Sequence, residues 1–139
     1  MRRELLQPIV IVVCAGAMVA WPEPGRLAAQ TQAEMHEEAS ATLRATEAEL
    51  KRVLDQLRAK AVGKKDALEK LRKVQVAWET YRDAQLGALW PAPDRGMYGS
   101  AHPMCVVAVR TELTKARIRE LRDMLKPAEG DVCSSRWPE

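Results

Sequence analysis

The chain has 139 residues, no Phe, 29% charged residues of both signs and a formal net charge of +3 at pH 7. That length allows one domain, and the missing Phe leaves its core to Leu, Val, Ala and Met. Basic and acidic residues alternate along most of the chain, which suits solvated helix faces and gives no ground for nucleic-acid binding.

The N-terminus carries Arg2 and Arg3, then an apolar run from Ile9 to Trp21. A bilayer span needs about 20 apolar residues, so this run is too short. Pro22, Pro24 and Gly25 break it, and the small residues Ala28 and Ala29 follow. This is the layout of a secretory signal peptide over residues 1–29, with Ala17 or Ala20 as alternative cleavage points. Cys14 follows the bulky Val13, which argues against a lipoprotein anchor. Removing residues 1–29 takes away three basic and two acidic residues and leaves a net of +2. The rest reads as a domain over 30–126 and a tail over 127–139, loosely held.

A first helix is expected from Thr31, with Thr31 and Glu34 as a capping box and Glu34, Glu37 and Glu38 at its positive dipole end. Met35, Ala39, Thr42, Thr46, Leu50, Val53, Leu54, Leu57 and Ala61 share its inward face by period. The turn Val62-Gly63-Lys64 makes the next helix, about Lys65 to Leu89, an antiparallel neighbour. On that second helix Leu68, Leu71, Gln75, Trp78, Arg82 and Leu89 fall on one face. Either Trp78 is core and Arg82 snorkels outward, or Arg82 is buried and needs a partner.

Residues 90–100 hold two prolines and two glycines and read as a long loop. A third helix is expected from Ala101 or Met104 to Leu125. Its inward stripe reads Cys105, Val109, Glu112, Leu113, Ala116, Leu121 and Leu125, which sets Glu112 opposite Arg82 as an ion-pair partner. The fold class is therefore all-α: an antiparallel bundle of three long helices with a long loop between the second and third.

Cys105 and Cys133 remain after processing. A straight helix from Cys105 to Leu125 covers about 30 Å, and the residues from there to Cys133 return at most about 27 Å, so a disulfide only just closes. An intramolecular bridge, a Cys105 packed as a small apolar residue, and an intermolecular bridge through Cys133 all stay open.

Catalytic machinery is not in view. His36 and His102 each lack a second His or carboxylate at a spacing of four, His36, Glu37 and Glu38 point in different helical directions, and Ser100 has no orienting base. Neither a cofactor nor a metal is implied.

The order of features resembles the LprI-type lysozyme inhibitor domain of bacterial envelope proteins. The matching residues are Thr31-Gln32-Ala33-Glu34-Met35, Ala48-Glu49-Leu50, Leu57, then Gln75, Trp78, Tyr81, Arg82, Asp83 and Ala84. Pro103-Met104, Glu112-Leu113-Thr114, Arg117 and Leu121 complete the match, which covers about residues 31–125. The resemblance implies an exported helical protein, periplasmic or secreted, that binds a protein partner and inhibits lysozyme without being an enzyme. The alternative is a structural or adaptor protein of the envelope with no lysozyme activity. The partner contacts it suggests are Arg95, Tyr98 and His102 in the loop, aimed at a cleft that works with two carboxylates, and the acidic Glu34, Glu37 and Glu38. Family members carry cysteines where this chain has Glu38, Leu86 and Val109, so those family disulfides cannot form here.

Overall fold

A computed structural model describes residues 24–126, 130, 132–134 and 137–138, with side chains from residue 31 onward except that of Arg95. Most of the expected leader, Cys14 included, lies outside the described residues. Three α-helices follow in order: α1 (Pro24–Lys60), α2 (Lys65–Leu89) and α3 (His102–Leu125), with a short 3-10 helix at Arg95–Tyr98 between the last two. The protein is all-α, and among the described residues there is no strand.

Helix α1 (Pro24–Lys60) is already formed ahead of the Thr31 capping box, from the first described residue onward. Glu34, Glu37 and Glu38 thus lie well inside α1, beyond the reach of its terminal dipole. At the other end Gly63 takes φ 82, a left-handed conformation. Glycine adopts it without a Cβ clash, which lets the chain reverse straight into α2.

Leu50, Val53, Leu54, Leu57, Leu71, Ile118 and Leu121 form the core, with Trp78, Met124, Leu125 and Trp137 packed against it. The core sits toward the α1–α2 turn. The other half of the bundle is filled by polar side chains: Thr46, Gln75, Arg82, His102, Thr111, Thr114 and Arg117 are all buried.

The threonines solve their own hydrogen bonding. Thr46, Thr111 and Thr114 each donate at 2.8 Å to the carbonyl four residues earlier, namely Thr42, Val107 and Arg110. Their methyl groups are then left for packing. Helices α1 and α3 make the closest approach in the bundle. Small residues such as Ala39 and Ala108 line the groove between them, whereas α2 is held further off by the long side chains Gln75, Trp78, Arg82 and Arg117.

The order of contacts gives the helix directions. Gln32 meets Ser100 and Glu49 meets Arg122, so α1 and α3 rise together. Arg117 meets Gln75 and His102 meets Trp90, so α2 descends as α3 rises.

The tail is not loose at Trp137. Its indole packs on the core, and Nε1 donates to the Leu57 carbonyl at 2.9 Å. We expect Trp137→Phe to cost about 1 kcal/mol, the worth of the lost hydrogen bond. Trp137→Ala should cost about 2–3 kcal/mol, below a fully buried Trp because this one is partly exposed. Urea unfolding of both variants measures the difference; an unchanged stability in Trp137→Phe would mean that the hydrogen bond contributes nothing, and equal losses in the two variants that the ring packing adds nothing.

Candidate protein-binding face

Helix α2 sets Gln75, Trp78 and Arg82 on one face, and α3 brings Arg117 to meet them. Arg117 Nε donates to Gln75 Oε1 at 3.3 Å, and its Nη1 donates to Glu120 Oε2 at 2.9 Å. Gln75 Nε2 in turn donates to Glu79 at 3.2 Å. The Arg82 guanidinium lies 5.2 Å from the centre of the Trp78 ring, a cation–π distance. It also donates to Asp83 Oδ1 from Nε at 2.9 Å and from Nη2 at 2.8 Å.

The expected Arg82–Glu112 pair does not form. Glu112 is exposed and takes Lys115 Nζ at 2.8 Å, one turn along its own helix. The reason lies in the phase of α3. Its buried residues are His102, Thr111, Thr114, Arg117, Ile118 and Leu121, while Cys105 and Glu112 face solvent. Leu121 and Leu125 of the expected stripe do reach the core, but the rest of it is rotated off the buried face, because the true inward face carries threonines and an arginine. Leu89 on α2, expected inward, is 47% exposed.

The opposite end of the bundle from the α1–α2 turn is built from the start of α1, the connection and the start of α3. His102 is buried there, with its ring 4.8 Å from Tyr98 and 5.1 Å edge-on to Trp90. The Tyr98 hydroxyl accepts the Ala92 N–H at 2.6 Å, which closes the connection on itself. Asp94 Oδ1 accepts the Gly96 N–H at 2.8 Å and caps the 3-10 helix. Gln32 Nε2 donates to Ser100 Oγ at 3.3 Å and ties the connection to α1. A segment that reads as an unstructured loop is thus pinned at three points.

The two contact elements expected from sequence therefore share one end of the molecule. His36 of α1 and His102 of α3 line one cleft of about 490 Å³. A second cleft, of about 420 Å³, runs between Gln32, Met35 and His36 on one side and Ser100, Pro103 and Met104 on the other. His102, however, is no protruding finger. It is 8% exposed, and its Nε2 is buried without a hydrogen-bond partner.

Tyr98 is half-buried and serves the loop, and the side chain of Arg95 lies outside the described residues. Glu34 and Glu38 are exposed. Glu37 is exposed too but bound to Arg44 at 2.7 Å, and that hydrogen bond and charge hold its carboxyl below the usual range. Met97, 74% exposed on the 3-10 helix, is the prominent side chain that sequence reasoning passed over. Its only signal is an apolar residue between two glycines in a loop. Among the described residues no three His, Cys, Asp or Glu side chains gather around one point as metal ligands would.

Residues 25–121 match the family described as Lysozyme inhibitor LprI. The chain belongs to the LprI family. An uncharacterized protein of Rhizobium meliloti (strain 1021) is 35% identical over 132 residues, which cover 87% of this chain and 93% of that one. No solved structure matches the chain.

Set on the fold, the LprI-like residues divide by role. Gln75, Arg82 and Arg117 are buried and Trp78 is half-buried; the Gln75–Arg117 bond joins α2 to α3, while Arg82 is held within α2 by Asp83 and Trp78. Tyr81 is 55% exposed, and Asp83 reaches outward from its bond with Arg82. Glu38, Leu86 and Val109 stand at the positions where the resemblance sets family cysteines. Of these, Leu86 lines a cleft with Asp83, Trp90 and His102. Cys105 and Cys133 do not bond to each other, and both are exposed, so Cys105 is not packed as an apolar residue either. Helix α3 runs unbroken to Leu125, which keeps Cys105 near its start and far from the tail.

Proposed function

We propose that this protein is exported and inhibits lysozyme by covering it with the face built from the start of α1, the 92–100 connection and the start of α3. Export would follow from the leader read over residues 1–29, leaving the protein periplasmic or secreted. The family match over residues 25–121 carries the reading. The tied-down connection supports it, since a preordered surface loses little freedom on binding. An inhibitor of this kind needs shape and charge but no catalytic group.

Charge favours the same face. Lysozymes are commonly basic, and residues 31–47 hold four glutamates against one arginine; Arg44 pairs with Glu37 and Arg110 with Glu47, which leaves the exposed Glu34 and Glu38 to carry the excess. That local excess attracts a basic partner even though the processed chain has a small positive net charge. Met97 and Met35 add apolar, adaptable contact area at the same end.

The test is a cell-wall lysis assay with the purified protein. We expect slowed lysis at micromolar excess, and Glu34→Lys/Glu38→Lys should weaken inhibition about tenfold, chiefly through association. Unchanged lysis with several lysozyme types would overturn the proposal. Recovery of a stable non-lysozyme partner from the periplasm would then favour an adaptor.

A further inference from the structure

The small net charge of the chain hides a strong segregation. Residues 51–73, the end of α1, the turn and the start of α2, contain nine basic and three acidic residues. Lys51 and Arg58 pair with Asp55, and Lys73 pairs with Glu69. Among the described residues, Arg52, Lys60, Lys64, Lys65, Lys70 and Arg72 have no carboxylate within ion-pair distance. This basic tip lies about 40 Å along α1 from the acidic end, at 1.5 Å per residue.

Two further observations distinguish the tip from an ordinary solvated face. Val62 stands at the apex of the turn, 76% exposed, between Lys60 and Lys64. Beside it a cleft of about 650 Å³ is lined by Gly63, Lys64, Lys65, Asp66, Ala67, Lys70, Trp137 and Pro138, so three lysines share it with a single carboxylate. An exposed aliphatic apex with Lys60 and Lys64 on either side in sequence, beside a half-buried indole anchored to the Leu57 carbonyl, matches the layering of a bilayer interface. There apolar groups enter the headgroup boundary, indoles sit at its level, and lysines meet the lipid charges.

We propose that the α1–α2 turn docks on an anionic lipid surface. Lys60, Lys64, Lys65 and Lys70 neutralise headgroup phosphates, and Val62 enters between them. A soluble polyanion would satisfy the lysines but leave Val62 in water, which is why the observations favour a bilayer. Docked this way, the protein would stand on the membrane with its acidic end turned toward solvent.

Sedimentation with phosphatidylcholine vesicles, with and without phosphatidylglycerol, tests the proposal on the purified protein. Binding should require phosphatidylglycerol and fall as salt is raised. Lys64→Ala/Lys65→Ala should weaken it on the order of 25-fold, about fivefold per lysine near the surface. Arg44→Glu changes net charge by the same amount at the other end and should weaken binding less than about twofold. Val62→Asp should cost about a further tenfold through lost apolar burial and added repulsion. Equal binding to neutral vesicles, equal loss with Arg44→Glu, or dextran sulfate binding that matches the vesicles and ignores Val62→Asp would each overturn it.

Discussion

Leu121→Ala is expected to lower the free energy of unfolding by about 3–4 kcal/mol. Leu121 is fully buried, and it meets Leu57, also fully buried, in a cluster of only seven buried aliphatic residues. Removing its branched end leaves a cavity that three helices can close only by moving together. Threonines line the interior just above, with hydroxyls already committed within α3, so little apolar volume stands ready to refill the gap. Domains of this size unfold at about 5–15 kcal/mol, so the loss is a large share. It should drop the melting temperature by roughly 10–25 °C. Leu89→Ala is the control. Sequence period puts Leu89 on the inward face of α2, but it is 47% exposed and its truncation should cost less than about 1 kcal/mol. Urea unfolding with an unchanged slope separates a true stability loss from a change in compactness. Comparable losses at the two positions would mean that the core is not centred where the structure has it.

The contrast between Leu121 and Leu89 shows what could be read before the fold was known. Helix α2 is legible end to end because Gly63 and Pro91 bracket one apolar stripe. The lower half of α1 is legible for the same reason, with Leu50, Val53, Leu54 and Leu57 all buried as their spacing demands. The start of α1 is not, because the helix is already formed before the Thr31 capping box that the local pattern offers as its beginning. The face of α3 fails for a deeper reason. A helix that buries Thr111, Thr114 and Arg117 has little hydrophobic contrast between its sides, so period alone cannot choose. Those residues become tolerable inside only through partners that no local pattern announces: the carbonyls of Val107 and Arg110, and Gln75 on another helix. The candidate face has the same limit. Its members are visible in the sequence one by one, but the bonds that assemble them, Tyr98 to Ala92 and Gln32 to Ser100, cross stretches that share no period.

Gln75→Leu is expected to cost about 2–4 kcal/mol, although it exchanges a polar residue for a good core former. The loss comes from what the substitution leaves behind. Arg117 is 7% exposed, and its Nη2 already lacks a partner. Without Gln75 Oε1 its Nε loses its acceptor too, and the cation is held in the interior by Glu120 alone. An under-solvated charge is costlier than a missing neutral hydrogen bond. Arg117→Leu should be milder, about 1–3 kcal/mol, because it strands only the neutral Gln75 carbonyl. The double variant removes both polar groups and replaces them with apolar contact between α2 and α3. It should be no less stable than Gln75→Leu alone, which corresponds to a coupling of about 1–3 kcal/mol between the two positions. A urea-based double-mutant cycle measures that coupling. If the two losses simply add, Gln75 does not anchor Arg117, and the polar seam between α2 and α3 is packing alone.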